Sequence, residues 1–234
     1  MHGFDFTPLG ILTVVLQVLI ILFSLSVHES AHAWMADRLG DSTARMLGRI
    51  TLNPIPHIDV LGTILLPMVM AFTGGPIFGW AKPVPVVNRN FKHLRRDEAL
   101  VGAAGPLSNL LLCLLATVAM AVMMIVVGPE AFFAQFQAGY TAPFWLYQLA
   151  FLNLILAVFN LIPIPPLDGS WILSAVLPYR VHRFYEEIRR WGPILLLVLF
   201  FTPALDIILN PLLSVFGFVF IRLPLGIVQS VLLG

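Results

Sequence analysis

Charge is scarce in this sequence, and the scarcity decides its solvent. Only 11% of the 234 residues are charged, while 59% are hydrophobic, and the mean hydropathy is +0.93. Charged residues make up about a quarter of an ordinary soluble domain and cover its exterior. Without them the apolar surface needs lipid. The net charge of +1 lacks the clustered basic excess that nucleic-acid binding requires. Cysteine is almost missing: Cys113 stands alone in an apolar run, which excludes a disulfide framework and a cysteine metal site. Residues 1–9 carry no Lys or Arg, so the first apolar segment is expected to be a retained helix and not a signal peptide. Internal repeats and low-complexity tracts are also missing. The expectation is a single membrane-embedded domain, 1–234, with no room for an appended soluble one.

Uncharged stretches locate the candidate spans, each needing about 20 mainly apolar residues. Residues 7–27 supply one, and its helical pattern can continue to Leu39, where Gly40-Asp41 offers a stop. Residues 99–128 and 140–167 are each long enough to cross. From Trp191 onward two more apolar pieces follow, interrupted by Pro203, Asp206 and Pro211. Residues 60–75 are too short and too interrupted for a comfortable span. They lead into GGPIFGWAKPVPVVN, whose Pro, Gly and β-branched residues cannot be helical.

All Lys and Arg except Arg222 fall into three clusters: Arg38, Arg45 and Arg49; Lys82 through Arg96; and Arg180 through Arg190. The positive-inside rule assigns all three to the cytoplasm. The N-terminus and the 128–139 loop, which has no Lys or Arg, then lie outside. A full crossing by 60–75 would put the second cluster on the wrong side. Residues 58–88 are therefore expected to dip into the membrane and return, with their non-helical backbone buried against protein. PYRVHRFYEEIRR reads as an amphipathic connector on the cytoplasmic surface. The fold class expected is an all-α polytopic membrane protein with about five to six transmembrane helices and a re-entrant β-like segment near the active site.

The first span ends in Val27-His28-Glu29-Ser30-Ala31-His32. Residues four apart on an α-helix lie within about 40° of each other, one turn apart, so His28 and His32 can reach one ion. Glu29 projects roughly 100° away, placed to face a bound water without joining the ligands. Two His ligands and a carboxylate base at this spacing point to a zinc hydrolase. Burying all three in an apolar helix is costly unless they are paired or metallated; a polar packing cluster between helices is the other reading. With Leu39 as the cytoplasmic boundary, His28 lies about 16 Å along the helix from it, in the hydrocarbon but nearer the cytoplasmic face.

A catalytic zinc usually takes three protein ligands and leaves a fourth position open. Asp168, in NLIPIPPLDG, suits the third. It follows the 140–167 span, and Pro163, Pro165 and Pro166 break the helix before it. Alternatively Asp168 caps the following helix, GSWILSAVL. His57 and Asp59 in NPIPHID could orient a ligand from behind, or belong to a polar surface loop. Asp206 and Arg222 are candidates to pair across helices, with no chemistry attached. In 78–88, Pro83 and Pro85 lie one strand period apart, so one edge lacks their N–H groups. The opposite edge, through Val84 and Val86, would keep its donors for β-addition of a substrate.

HESAH, NPIPHIDVLGT, FGWAKPVPVVN, AGPLSN and NLIPIPPLDG, in this order over residues 28–169, strongly resemble the site-2 protease family of intramembrane zinc metalloproteases. The resemblance implies that His28, His32 and Asp168 bind one Zn2+ per chain and that Glu29 activates the water. It places Asn160 in the active site, at the substrate or the oxyanion. Beside it, Trp80, Val84 and Val86 are candidate substrate contacts, and His57 and Asn109 candidate supports behind the ligands. The PDZ or CBS domain of many relatives is not expected here. The implied substrate is a membrane protein with a transmembrane helix, cleaved in or beside that helix, as in regulated intramembrane proteolysis. The implied location is a prokaryotic cell membrane, multi-pass, and the oligomeric state is left open. Two other classes compete: a catalytically inactive relative that only binds membrane helices, and a zinc transporter. A transporter would spread acidic and His residues along a path, whereas here they gather at one level.

Overall fold

The computed structural model describes residues 7–73 and 79–233, and the chain divides into two units, Met1–Lys92 and His93–Gly234. The first is built on α1 (Pro8–Arg38). Pro8 sits in the first turn, where its missing N–H costs nothing, and Thr7 Oγ1 accepts the Gly10 N–H at 3.2 Å. At the other end the Leu39 N–H donates to the Met35 and Ala36 carbonyls, and Gly40 follows at φ +113°, a left-handed turn that glycine enters freely. Ile21, Leu25, His28, His32 and Ala36 recur at helical spacing and are all buried. Leu12, Val15, Leu19 and Phe23 form an exposed stripe. On a helix of 31 residues such an apolar face suits lipid, not water.

After α1 come the short α2 (Thr43–Met46), a 3-10 turn (Ile55–His57), and a π-helical stretch (Val60–Leu65) continuing into α3 (Leu66–Thr73). Asp59 starts that stretch by accepting the Leu61 and Gly62 N–H groups at 3.1 and 2.8 Å. From Val60 to Thr73 the helix runs about 21 Å at most, short of a hydrocarbon core of about 30 Å. Residues 74–78 of the expected re-entrant segment lie outside the described residues. Residues 79–87 are extended, yet among the described residues there is no strand. The β-like segment expected here is not confirmed, because the partners of these residues are scattered carbonyls and side chains and form no ladder.

The second unit holds α4 (Leu94–Val127), α5 (Pro129–Ala138), α6 (Ala142–Asn160), α7 (Gly169–Val176), α8 (Tyr179–Arg189), α9 (Gly192–Phe200), α10 (Ala204–Gly217) and α11 (Leu223–Leu233). A π-helical turn, Phe218–Arg222, joins the last two. Pro224 has no N–H to give the preceding turn, and just before it the Leu223 N–H reaches back to the Phe218 carbonyl, widening the helix there. Against α4 pack α6, α7 and α11. Cys113, Ala116, Met120 and Met124 of α4 meet Ala150, Leu154 and Val158 of α6 in the core. Between helices in lipid no hydrophobic gain drives association, so small residues that permit close backbones, and hydrogen bonds across the gap, carry it. Asn109 and Asn153, both fully buried, supply one at 2.7 Å.

Four described helical stretches are long and apolar enough to cross a membrane: α1, α4, α6 and the continuous Ala204–Leu233. The expectation was five to six. The difference lies after Trp191, where α9 stops after nine residues at Thr202-Pro203 and α10 begins. Asp206 and Arg222 both lie on the continuous last stretch, about 24 Å apart along its axis, so they do not pair with each other in one chain.

The LDG turn is seated by two glycines. A Cβ on Gly169 would lie 2.6 Å from the Ile162 carbonyl oxygen and closer still to that of Leu161. A Cβ on Gly102 of α4 would lie 2.9 Å from Trp171 Cβ and 3.0 Å from the Asp168 carbonyl oxygen. Gly169→Ala and Gly102→Ala should each destabilise the protein by about 1–3 kcal/mol, read as a lower melting temperature in detergent. Gly226→Ala, which meets nothing within 4 Å, should be neutral or stabilising. Equal melting temperatures for Gly169→Ala and Gly226→Ala would refute this packing.

Candidate metal centre

The buried stripe of α1 brings the two imidazoles together as the spacing requires. His28 Nε2 and His32 Nε2 lie 3.0 Å apart, with ring centroids 4.6 Å apart and planes at 81°. Both residues are under 10% exposed. Two neighbouring ligands of a tetrahedral zinc, each about 2.0–2.1 Å from the ion, stand about 3.3 Å apart. A small relaxation therefore turns this pair toward one ion, and the imidazole donors suit zinc.

Glu29, half-buried on the adjoining face, is not loose. Its Oε2 accepts the Val84 N–H at 2.9 Å. That contact belongs to a regular scheme along the extended segment. Trp80 N–H donates to the Gly62 carbonyl at 3.2 Å, and Lys82 N–H to the His57 carbonyl at 2.8 Å. The Trp80 carbonyl accepts from Thr63 Oγ1 at 2.8 Å, and those of Lys82 and Pro83 accept from Arg49. The N–H groups of residues 80, 82 and 84 thus all point inward, as the period-two geometry of extended chain dictates. Pro83 and Pro85, on the other edge, have none to offer. The expectation that Val84 keeps a free donor for substrate is corrected here: Glu29 takes it. Val86 keeps its place on that inner edge without a hydrogen bond to another described residue.

The far end of the segment is tied by Asp41, which is fully buried. Asp41 accepts the Val87 N–H at 2.7 Å, the Asn90 side-chain amide at 2.8 Å, and both the backbone N–H and the hydroxyl of Thr43. Burial works against its charge, but these hydrogen bonds prevail and hold the carboxyl below its ordinary value. On the near side the Thr51 carbonyl accepts from Ser30 Oγ, one residue beyond Glu29, and from His57 Nε2 at 3.0 Å. Burial, aided by the Arg49 charge, lowers the His57 pKa below its ordinary value against the pull of the Thr51 hydrogen bond and the Glu29 charge. His57 therefore supports the loop beneath α1 and reaches Ser30 at 3.5 Å. Trp80 is 46% exposed, and its indole lies where a Cβ on Gly62 would be.

The remaining candidates belong to the second unit. Asp168 precedes α7 and makes no side-chain cap to it, so the capping alternative does not hold; its carbonyl instead receives the Trp171 N–H at 2.9 Å. Asn160 donates its amide to the Leu156 carbonyl of its own helix at 3.0 Å. Asn109 pairs with Asn153. Sequence reasoning missed Arg49, Thr63, Asp41 and Asn153. Arg49 read only as one of a cytoplasmic basic cluster, yet it is 6% exposed.

Comparison with known proteins adds the following. Residues 134–201 match the model of Peptidase family M50. Over 214 residues the chain is 40% identical to a Bacillus subtilis protein named "Putative zinc metalloprotease YwhC", covering 92% of each. Rip2 of Mycolicibacterium smegmatis, with the same description, is 31% identical over 195 residues, 79% of this chain and 66% of Rip2. Rip2 of Mycobacterium tuberculosis is 33% identical over 185 residues. No solved structure matches the chain.

The Asp41 anchor gives a pH signature. A carboxyl held below its ordinary pKa stabilises the fold fully above the unfolded value of about 3.9, and that contribution drains away as pH falls further. The melting temperature of the wild type should exceed that of Asp41→Asn at pH 6, and the two should converge below about pH 4. A constant gap down to pH 3 would show that Asp41 contributes nothing through its charge.

Proposed function

Because this chain belongs to peptidase family M50, the site-2 protease family, we propose that it hydrolyses peptide bonds within or next to transmembrane segments of other membrane proteins, using one zinc ion. The observation that carries this reading is the buried His28–His32 pair, 3.0 Å apart, beside a carboxylate on an apolar helix long enough to cross the membrane. Ionisable groups are retained in such a helix where they serve a function. His28 and His32 would hold the ion with Asp168, which the LDG motif and the family support as third ligand. When bound, zinc supplies Lewis acidity and makes a water nucleophilic near neutral pH.

The chain's own groups then divide the work. Glu29 Oε2 is occupied by the Val84 N–H, so Oε1 takes the proton from the attacking water and returns it to the leaving amine. The hydrogen bond from Val84 fixes the carboxylate's direction, so no reorientation is needed as the proton moves. A substrate helix must unwind locally to expose its peptide bonds, and inside the membrane its freed backbone groups need partners. Val86 N–H, with the Trp80 ring nearby in the segment, offers a place for it. The basic clusters favour an N-terminus outside and a site nearer the cytoplasmic face. The 40% identical Bacillus relative supports a bacterial cell membrane.

Purified protein should hold about one zinc per chain, and His28→Ala, His32→Ala and Asp168→Ala should each lose most of it. Full zinc in Asp168→Ala would remove that residue from the ligand set. Glu29→Gln should keep its zinc while cleavage of a single-span reporter falls at least about 100-fold; undiminished cleavage would sink the assignment of the base. An inactive helix-binding relative would cleave nothing in either form, and a transporter would tolerate the change.

Val84→Pro deletes the N–H that holds Glu29, whereas Val84→Ala keeps it. The first should lower the cleavage rate about tenfold or more, with zinc content unchanged, and the second should cleave almost normally. Equal rates in the two would mean that the contact does not orient the base.

A further inference from the structure

Arg222 is out of place by every rule of its surroundings. It lies on the last spanning stretch, about 16 Å along the axis from the helix end at Leu233, and its side chain is exposed. Among the described residues it forms neither hydrogen bond nor ion pair. Asp206, the other charge on this stretch, is about 24 Å away. A guanidinium cannot be neutralised by losing its proton, and leaving it uncompensated among apolar side chains costs several kcal/mol. It needs an anion from outside the chain.

The surroundings say which kind. Arg222 stands at a cavity of about 70 Å³ between α6 and the α10–α11 stretch, lined also by Tyr147, Phe151, Leu213, Ser214 and Ile221. The rings of Tyr147 and Phe151 stack 5.8 Å apart with planes at 6° and form a flat apolar wall. Gly217 also lines the cavity, adding no side chain of its own to fill it. One cationic group beside a slot with aromatic and aliphatic walls matches a ligand with a negative head and a hydrocarbon body.

We propose that this groove binds one anionic phospholipid, its phosphate on Arg222 and an acyl chain along Tyr147, Phe151 and Leu213. The guanidinium's fork of donors matches phosphate geometry in a way that a point charge does not. A long aliphatic stem lets it meet a phosphate at the edge of the hydrocarbon while its methylenes stay in lipid. The site is independent of the proposed peptidase chemistry.

The test uses the full chain reconstituted in nanodiscs of equimolar phosphatidylcholine and phosphatidylglycerol, released into detergent and examined by native mass spectrometry. One phosphatidylglycerol should stay with the wild type after the annular lipids are stripped. Arg222→Gln should retain it at least about tenfold less, the scale of a lost charge-assisted contact. Arg222→Lys should fall between. Ser214→Phe, which fills the slot and keeps the charge, should also lose the lipid, and it carries the test if Arg222→Gln does not fold. Equal retention in the wild type and both loss variants would overturn the proposal. So would competition by glycerol phosphate as effective as that by the intact lipid, since the site would then recognise phosphate alone. A change of oligomeric mass in Arg222→Gln with lipid retention unaltered would also overturn it, because the occupant would be a protein helix.

Discussion

A backbone inside an apolar region needs partners for its N–H and C=O groups, and the segment from Trp80 to Val87 finds many of them without a sheet. Its groups are taken one by one: by the Gly62 and His57 carbonyls, by Thr63 and Arg49, by Glu29, and at the far end, through the Val87 N–H, by Asp41. The last two matter beyond bookkeeping. Glu29 satisfies an amide and is oriented by it in the same contact. Asp41 closes the far end, so the segment cannot drift away from α1 without baring several polar groups at once. The chemistry of the proposed centre therefore depends on a solvation constraint, since the same hydrogen bonds that make an irregular chain tolerable also aim the carboxylate.

The second unit solves a different problem, how helices hold together when lipid is as apolar as they are. Alanines at 116, 150 and 157 and glycines at 102 and 169 let backbones approach, and the Asn109–Asn153 pair adds direction. Gly169 is informative because it follows Asp168. With no side chain there, α7 begins directly on the Leu161 and Ile162 carbonyls, and the aspartate is held by its backbone. The third letter of LDG is a packing requirement as much as a marker of chemistry.

Much of this could be read from the residues alone. HESAH on an apolar helix predicts a facing His pair, and the pair is there. The run from Thr7 to Gly40 predicts α1 nearly to the residue, because a cap, a proline and a left-handed glycine mark its ends. What could not be read depends on partners distant in sequence. Period two shows that Pro83 and Pro85 share an edge, but not that the opposite edge is already engaged by Gly62, His57 and Glu29. Arg49 looks like any surface charge until the carbonyls it meets are known. The number of spans is not read from apolar content alone, which measures compatibility with lipid and not helix length: the break at Thr202-Pro203 leaves α9 nine residues long.

The prolines on the outer edge have a further consequence. An extended chain with a bare edge is a template for stacking against its own kind, and a membrane crowded with copies would offer many opportunities. Pro83 and Pro85 withhold alternate donors on that side, so a second copy laid alongside would find too few hydrogen bonds to zip. On the inner edge the N–H groups of residues 80, 82 and 84 are already engaged by the chain's own contacts. The protein can thus carry an irregular, strand-like segment at high local concentration without nucleating cross-β aggregates.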